Sequence, residues 1–374
     1  MLPYGRQSID EADIDAVIDV LRGDWLTTGP AVREFEAAVS GLAGGHQVVS
    51  VTSGTAALHT AYAALGVGPG DEVVTTPMTF VATASAASLL GASVTFVDVE
   101  EDTALLDPEA VAAAVSERTK VVAAVDYAGH PADYDRLQEV ADGVGAYTLA
   151  DAAHSVGGTY NGRPVGGLAS VTTMSFFPTK NLTTGEGGAV VAKDPTVGRA
   201  AAEFHNIGLV RDRERFEIGE TGPWHQEVHE FGLNYRLTDL GAALGLSQLA
   251  RLDAFVERRR QIKKRYDAAL GDVDGLRIPV QRDSVDPAWH LYPIRVLDGR
   301  RHAVFTRLRE KGIGVQVNYL PVYWHPVYAR DGYRRGMCPN AEAFYAEELS
   351  LPMFPALTDD DVDRVIDAVL DSVR

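Results

Sequence analysis

Val48-Val-Ser-Val-Thr-Ser-Gly-Thr-Ala-Ala-Leu-His-Thr-Ala-Tyr-Ala-Ala-Leu65 changes its period in the middle. Val48–Val51 reads as a strand buried on both faces. From Thr55 onward small and apolar residues recur at helical spacing to Leu65. A buried strand running straight into a helix is the repeating unit of an α/β fold. The same alternation continues downstream, predicting strands at Glu72–Thr75, Val94–Val97, Val121–Val125, Tyr147–Ala150 and Ala189–Ala192. Helices are expected between them at Val81–Leu90, Pro108–Val115 (proline in the first turn) and Tyr134–Val144. The pattern implies a mostly parallel central sheet covered by helices on both faces.

The rest of the chain is organised differently. Residues 208–235 are polar and aromatic without clear periodicity, and are expected to run over the surface or onto a partner. Thr238–Leu270 reads as one long helix, charged in its second half by Glu257-Arg-Arg-Arg260 and Lys263-Lys-Arg265. It is expected to lead from a large domain, residues 1–250, into a smaller α/β C-terminal domain, residues 251–374. Strands near Tyr292–Val296 and Gly314–Val317 and an amphipathic helix Asp359–Val373 are predicted there.

The 374 residues, 46% hydrophobic and 23% charged, suit an ordinary soluble protein of about two domains. The formal net charge of -18 argues against nucleic acid or an anionic membrane as main partner. A phosphorylated ligand would need a local set of basic groups or backbone amides. Cys338 is the single cysteine, so no internal disulfide forms, as suits a cytoplasmic location. The N-terminus lacks the layout of a signal peptide, and no apolar run approaches the ~20 residues of a spanning helix.

Thr52-Ser-Gly-Thr-Ala56 lies at the start of a helix, where free amides, the Thr55 hydroxyl and the helix dipole can cup a phosphate. An ordinary serine cap explains the same residues. Phe80 stands at a strand-to-helix junction and can cover a flat ring, or simply belong to the core. Asp151 ends a strand where α/β sheets place their sites, though it can equally cap the next turn; His154 follows three residues on. Lys180, in Ser175-Phe-Phe-Pro-Thr-Lys180, is preceded by apolar Met174, Phe176 and Phe177 and followed by Gly185-Glu-Gly-Gly188. A lysine desolvated in this way becomes a usable nucleophile and base. Together, a lysine for covalent attachment, an acid for a pyridine nitrogen and the Ser175 hydroxyl for a phosphate are what a pyridoxal phosphate (PLP) site needs. Other templates fail: no Gly-x-Ser-x-Gly elbow is present, His225 and His229 lack a third metal ligand, and Gly66-Val-Gly-Pro-Gly70 sits after a helix, as a turn does.

In order and spacing these motifs resemble the fold-type I PLP enzymes and, within them, the DegT/DnrJ/EryC1/StrS family of sugar aminotransferases. The resemblance covers nearly the whole chain. It runs through Leu26-Thr-Thr-Gly29, Ser53-Gly-Thr-Ala-Ala-Leu58, Thr76-Pro-Met-Thr-Phe-Val-Ala-Thr83, Asp126-Tyr-Ala-Gly129, Asp151-Ala-Ala-His-Ser155 and the Lys180 segment. It ends with Gly232-Leu-Asn-Tyr-Arg236, Ala242-Ala-Leu-Gly-Leu-Ser-Gln-Leu249 and Val317-Asn-Tyr-Leu-Pro321. It implies that Lys180 carries the cofactor and shuttles protons, Asp151 partners the ring nitrogen, Phe80 stacks on the ring and His154 lies at its edge. Ser53, Thr55, Ala56 and Ser175 would hold the phosphate, joined by Asn234 from the other subunit of a homodimer with shared sites. Tyr319, Arg236, Tyr323 and His325 would face the substrate.

The implied reaction moves an amino group from L-glutamate to a nucleotide-diphosphate ketosugar. Thr183-Thr-Gly-Glu-Gly-Gly188 is similar to the version found in enzymes acting at C4 of a 4-keto-6-deoxy sugar. Val125-Asp-Tyr-Ala-Gly129 is similar to 4-aminotransferases of the pseudaminic acid route. Amination of a 3-ketosugar or a keto-inositol is the alternative within the same chemistry, and a non-catalytic PLP-binding sensor the alternative outside it. A related dehydrating branch has histidine where Lys180 stands here.

Overall fold

The computed structural model describes residues 1–374. Its main sheet has seven strands: β1 (Gln47–Val51), β2 (Glu72–Thr75), β3 (Ser93–Phe96), β4 (Thr119–Val125), β5 (Tyr147–Asp151), β6 (Val171–Ser175) and β7 (Gly188–Ala192). They lie in the order β1-β7-β6-β5-β4-β2-β3. The β2–β3, β2–β4, β4–β5 and β5–β6 pairs are parallel, whereas β7 runs antiparallel to β1 and β6. Strands such as Val121-Val-Ala-Ala-Val125 are buried throughout because helices cover both faces. Consequently Val51, Thr75, Val125, Asp151 and Ser175 all end at one edge of the sheet.

The helix Gly54–Ala64 packs close to this sheet because its inward face is mostly small, with Ala56, Ala57 and Ala61 buried beside Leu58 and Tyr62. Close approach recurs where β7 begins. A Cβ on Gly188 would lie 2.5 Å from the Ser53 carbonyl and 2.7 Å from that of Met174, so no larger residue fits. β6 escaped the sequence reading. Its Thr172 and Thr173 break the apolar run, yet both are fully buried. Also unanticipated are the helices Glu11–Arg22, Pro30–Leu42 and Pro195–Phe204. The first is closed by a reciprocal Asp10–Asp13 capping box. The second is capped from afar: Asp239 accepts hydrogen bonds from the amides of Gly29 (2.8 Å) and Ala31 (3.0 Å).

The predicted helix Thr238–Leu270 is two helices, Asp239–Leu249 and Leu252–Leu270. Arg251 leaves the helical region at the break, and its guanidinium turns to bond Asp10 (2.7 Å) and the buried Asp13. Beyond it β8 (Leu276–Arg277), β9 (Tyr292–Val296) and β10 (Glu348–Leu351) form an antiparallel sheet in that order. A second core of residues from Ile262 to Val373 joins this sheet to the helices Arg301–Glu310 and Asp359–Ser372. Gly314–Val317 is not a strand; only Gln316 pairs, in a bridge to Ser350. Within residues 208–235 the short strands Leu209–Val210 and Glu227–Val228 pair, and the buried Glu227 carboxylate accepts from both His225 (3.0 Å) and His229 (2.7 Å). The same stretch leaves Ile218, Trp224 and Phe231 exposed, Phe231 at 96%. No helix is long and apolar enough to cross a membrane.

Candidate active site

A cavity of about 510 Å³ opens at the sheet edge where the strand ends meet. Ser53, Thr55, Phe80, Asp151, His154, Ser175, Lys180 and Tyr319 line it, so eight residues scattered over the sequence come together.

Asp151, the last residue of β5, is buried. Its Oδ2 accepts from the Thr83 hydroxyl at 2.7 Å and its Oδ1 from the Ala153 amide at 3.2 Å. Burial raises its pKa, while these two donors and the nearby Lys180 amine oppose the rise. A cationic ring in the cavity would act in the same sense as Lys180. Lys180 sits on the loop between β6 and β7. Phe176 pins that loop at both ends, its amide on Gly187 at 2.9 Å and its carbonyl taking the Thr184 amide at 3.0 Å. Asn181, next to the lysine, donates to the carbonyls of His154 (3.3 Å) and Val156 (3.0 Å), tying the lysine loop to the histidine loop. Burial lowers the Lys180 amine to about 8, against the pull of Asp151. Such an amine is partly neutral near physiological pH and available as a nucleophile.

The helix start forms a cup. The amides of Gly54 and Thr55 have no partner within the chain. A Cβ on Gly54 would stand 2.8 Å from the Ser175 Cβ, so the glycine sets how closely the cup meets β6. Ser53 is the helix cap, its Oγ accepting from the Ala56 amide at 3.0 Å. Ala56 is therefore buried behind the cup, away from the cavity lining. Across the cavity Phe80 is 60% exposed, which sets aside its reading as a core residue. An exposed aromatic ring lining the same cavity as a lysine and an acid fits a flat cofactor ring, and the amide cup fits its phosphate.

Several expected residues lie elsewhere. Tyr323 is a core residue: its hydroxyl donates to Glu342 at 2.6 Å and its ring packs 5.7 Å from that of Phe96. His325 uses its carbonyl to start the short helix Pro326–Arg330, accepting from Tyr328 (3.0 Å) and Ala329 (3.1 Å), outside the cavity lining. Arg236 donates to Asn206 at 2.8 Å, outside the cavity lining, while Asn234, expected to serve a partner's site rather than this one, is exposed. Conversely, Tyr4, Thr79, Glu186 and His290 line the cavity without having been singled out. Thr79 and Thr83, bonded to each other at 2.8 Å, were findable at one helical turn's spacing next to Phe80. Tyr4 and His290 arrive from distant segments and carry no local signal. Cys338 is buried, its thiol pushed up to about 12 by burial.

An amine that burial makes nucleophilic, beside an acid suited to hold a neighbouring positive charge, is the working pair of the fold-type I PLP-dependent aminotransferases, and this chain is one of them. Residues 7–370 match the DegT/DnrJ/EryC1/StrS aminotransferase family, to which the chain belongs. The spore coat polysaccharide biosynthesis protein SpsC of Bacillus subtilis is 39% identical over 379 residues, covering 100% of this chain and 97% of SpsC. Spr1654 of Streptococcus pneumoniae, described as a sugar aminotransferase, superposes in its PMP form with a TM-score of 0.93 at 31% identity, covering 100% of this chain and 99% of that one. Its PLP form superposes equally well. Helicobacter pylori PseC, an aminotransferase involved in the biosynthesis of pseudoaminic acid, gives 0.93 at 30% identity, with 100% and 99% coverage.

Proposed function

We propose that this enzyme moves the amino group of L-glutamate to C4 of a nucleotide-linked 4-keto-6-deoxy sugar, acting in the cytoplasm as a homodimer with shared active sites. The observation that carries the reading is the meeting of Lys180 and Asp151 in one cavity that the exposed Phe80 also lines. The names of SpsC and PseC, which place those relatives in polysaccharide and pseudoaminic acid biosynthesis, favour a sugar substrate. The Thr183–Gly188 motif favours C4. Ile218, Trp224 and Phe231 are exposed on the segment that leads to Asn234, which favours a partner's site as the place where Asn234 works.

Each side chain then has a task. When bound, PLP supplies the electron sink that stabilises charge left on the substrate carbon. Asp151, fixed by Thr83, would hold the ring nitrogen protonated, while Ser175, Thr55 and the Gly54 and Thr55 amides would hold the phosphate. Lys180 would hold the cofactor and, as a free amine, would take and return the proton at the substrate carbon. The net result is 2-oxoglutarate from glutamate and an amine at the former keto carbon. With PLP, L-glutamate and a panel of nucleotide-linked ketosugars, the 4-keto sugars should be aminated, and exclusive use of a 3-keto sugar overturns the C4 assignment. The visible absorption of the loaded enzyme should bleach with L-glutamate and be missing in Lys180→Ala. A band that survives in that variant removes Lys180 from its role.

A further inference from the structure

His290 lines the cavity yet has no part in the chemistry above. It follows the buried Trp289 on the segment that leads into β9, and its ring lies on that of His154, with centroids 4.4 Å apart and planes inclined by 36°. On its other side His154 is held by Tyr319, whose hydroxyl is 3.1 Å from Nε2. The approach of the two histidine segments depends on Gly129, at a φ of +97°. A Cβ there would lie 2.8 Å from the amides of Trp289 and His290 and 2.9 Å from the His154 carbonyl. Ala288 and Leu291 then stitch the segment down, donating to the carbonyls of Gly129 (3.1 Å) and Ala128 (3.2 Å).

Behind His290 stands Arg259, a fully buried guanidinium with no carboxylate partner. Its Nη1 donates to the carbonyls of Trp289 (3.3 Å), His290 (3.2 Å) and Met353 (2.8 Å), and its Nε and Nη2 are buried without partners. Two cationic groups therefore neighbour the histidine pair: Arg259, bonded to the His290 carbonyl, and Lys180, in the cavity that both rings line. The other titratable groups lining the cavity with the pair are Tyr319, Tyr4, Glu186 and Asp151, the last already engaged by Thr83 and Ala153. Nδ1 is buried and unpartnered on both rings. A doubly protonated ring needs an acceptor for each N–H, and the chain itself supplies none at Nδ1 of either ring.

We propose that His290 is a positioning residue for the amino transfer: backed by Arg259, it pins the His154 ring against Tyr319 and keeps a second cation out of the cavity. Lys180 is then the one group on that wall that exchanges a proton. Burial and the neighbouring Lys180 charge, both of which hold His154 well below the usual histidine range, agree with the geometry. The inference rests on Lys180 as the cofactor-bearing amine, and the test reads His154 directly, so the two fail separately.

The test is a ring-nitrogen NMR titration of PLP-loaded enzyme labelled with 15N-histidine, from pH 5.5 to 8.5, with His154 assigned by the signal lost in His154→Asn. His154 should stay neutral in the native enzyme and in His290→Phe, which keeps a flat ring at the position. In His290→Asn it should begin to titrate within that range, and kcat should fall about tenfold with a smaller change in KM. A His154 that stays untitrated in a folded His290→Asn, or a kcat in His290→Phe as low as in His290→Asn, overturns the proposal. Should His290→Asn not fold, the native titration decides: protonation of His154 between pH 6 and 8 overturns it.

Discussion

The carboxyl ends of β4 and β5 lie side by side, with Val125 in register with Asp151 and the Asp126 amide bonded to the Asp151 carbonyl at 3.1 Å. Each carries a buried aspartate, and the two are finished differently. Asp126 is completed from within the chain by the hydroxyls of Tyr134 (2.6 Å) and Ser155 (2.5 Å) and the amide of Ala132 (3.0 Å), away from the cavity. Asp151 receives two donors and otherwise faces the cavity and Lys180. An acid surrounded by donors on every side is spent on the fold. One left open towards an amine remains free for chemistry.

Substitution at the two positions should separate these roles. Asp151→Asn keeps an acceptor for Thr83 but gives up the charge, and steady-state kinetics should show kcat lower by about 10²–10³-fold. Asp126→Asn should cost less than tenfold in kcat but about 1–3 kcal/mol in stability, because a buried network loses an acceptor. Equal losses of activity in two folded variants would erase the distinction.

The same pair predicts a pH dependence. Burial pushes Asp126 up to about 7 from its ordinary 3.8. The folded chain thus holds a proton that the unfolded chain has released, and stability falls as pH rises from about 4 to about 7, by at most about 1.4 kcal/mol per unit. Asp126→Asn removes this contribution, so denaturation curves should show the variant's deficit greatest near pH 4, shrinking as pH rises to about 7 and level above it. The smallest effect is expected away from both strand ends. Tyr323→Phe should cost about 1 kcal/mol of stability in denaturant melts and leave KM for both substrates unchanged. A raised KM would return Tyr323 to the substrate.

What the sequence made legible follows the same division. Alternating buried runs and Ala-rich helices marked six of the seven main strands, because burial on both faces leaves a continuous apolar signature. β6 was hidden by Thr172 and Thr173, whose polarity masks their burial. The helical break at Arg251 has no glycine or proline to announce it and is fixed by contacts with Asp10 and Asp13, far away in sequence. In the cavity, Lys180 and Asp151 were visible because each sits in a local motif. His290 was not, since only the close approach allowed by Gly129 brings it to His154. Tyr323 looked like a neighbour of Tyr319, but the turn between them sends it into the core.

The position of β7 has a consequence for how the molecule is made. β1, made before the other six strands of the sheet, has no neighbour in it except β7, the last of the seven. Until β7 is synthesised, β1 is an unpaired edge, and long-range pairing of this kind is slow and exposed to aggregation. The Lys180 loop immediately precedes β7, and the helix that opens the Gly54 cup immediately follows β1. One late pairing event therefore sets both in place, and a nascent chain gains its capacity to retain a coenzyme only when the sheet closes.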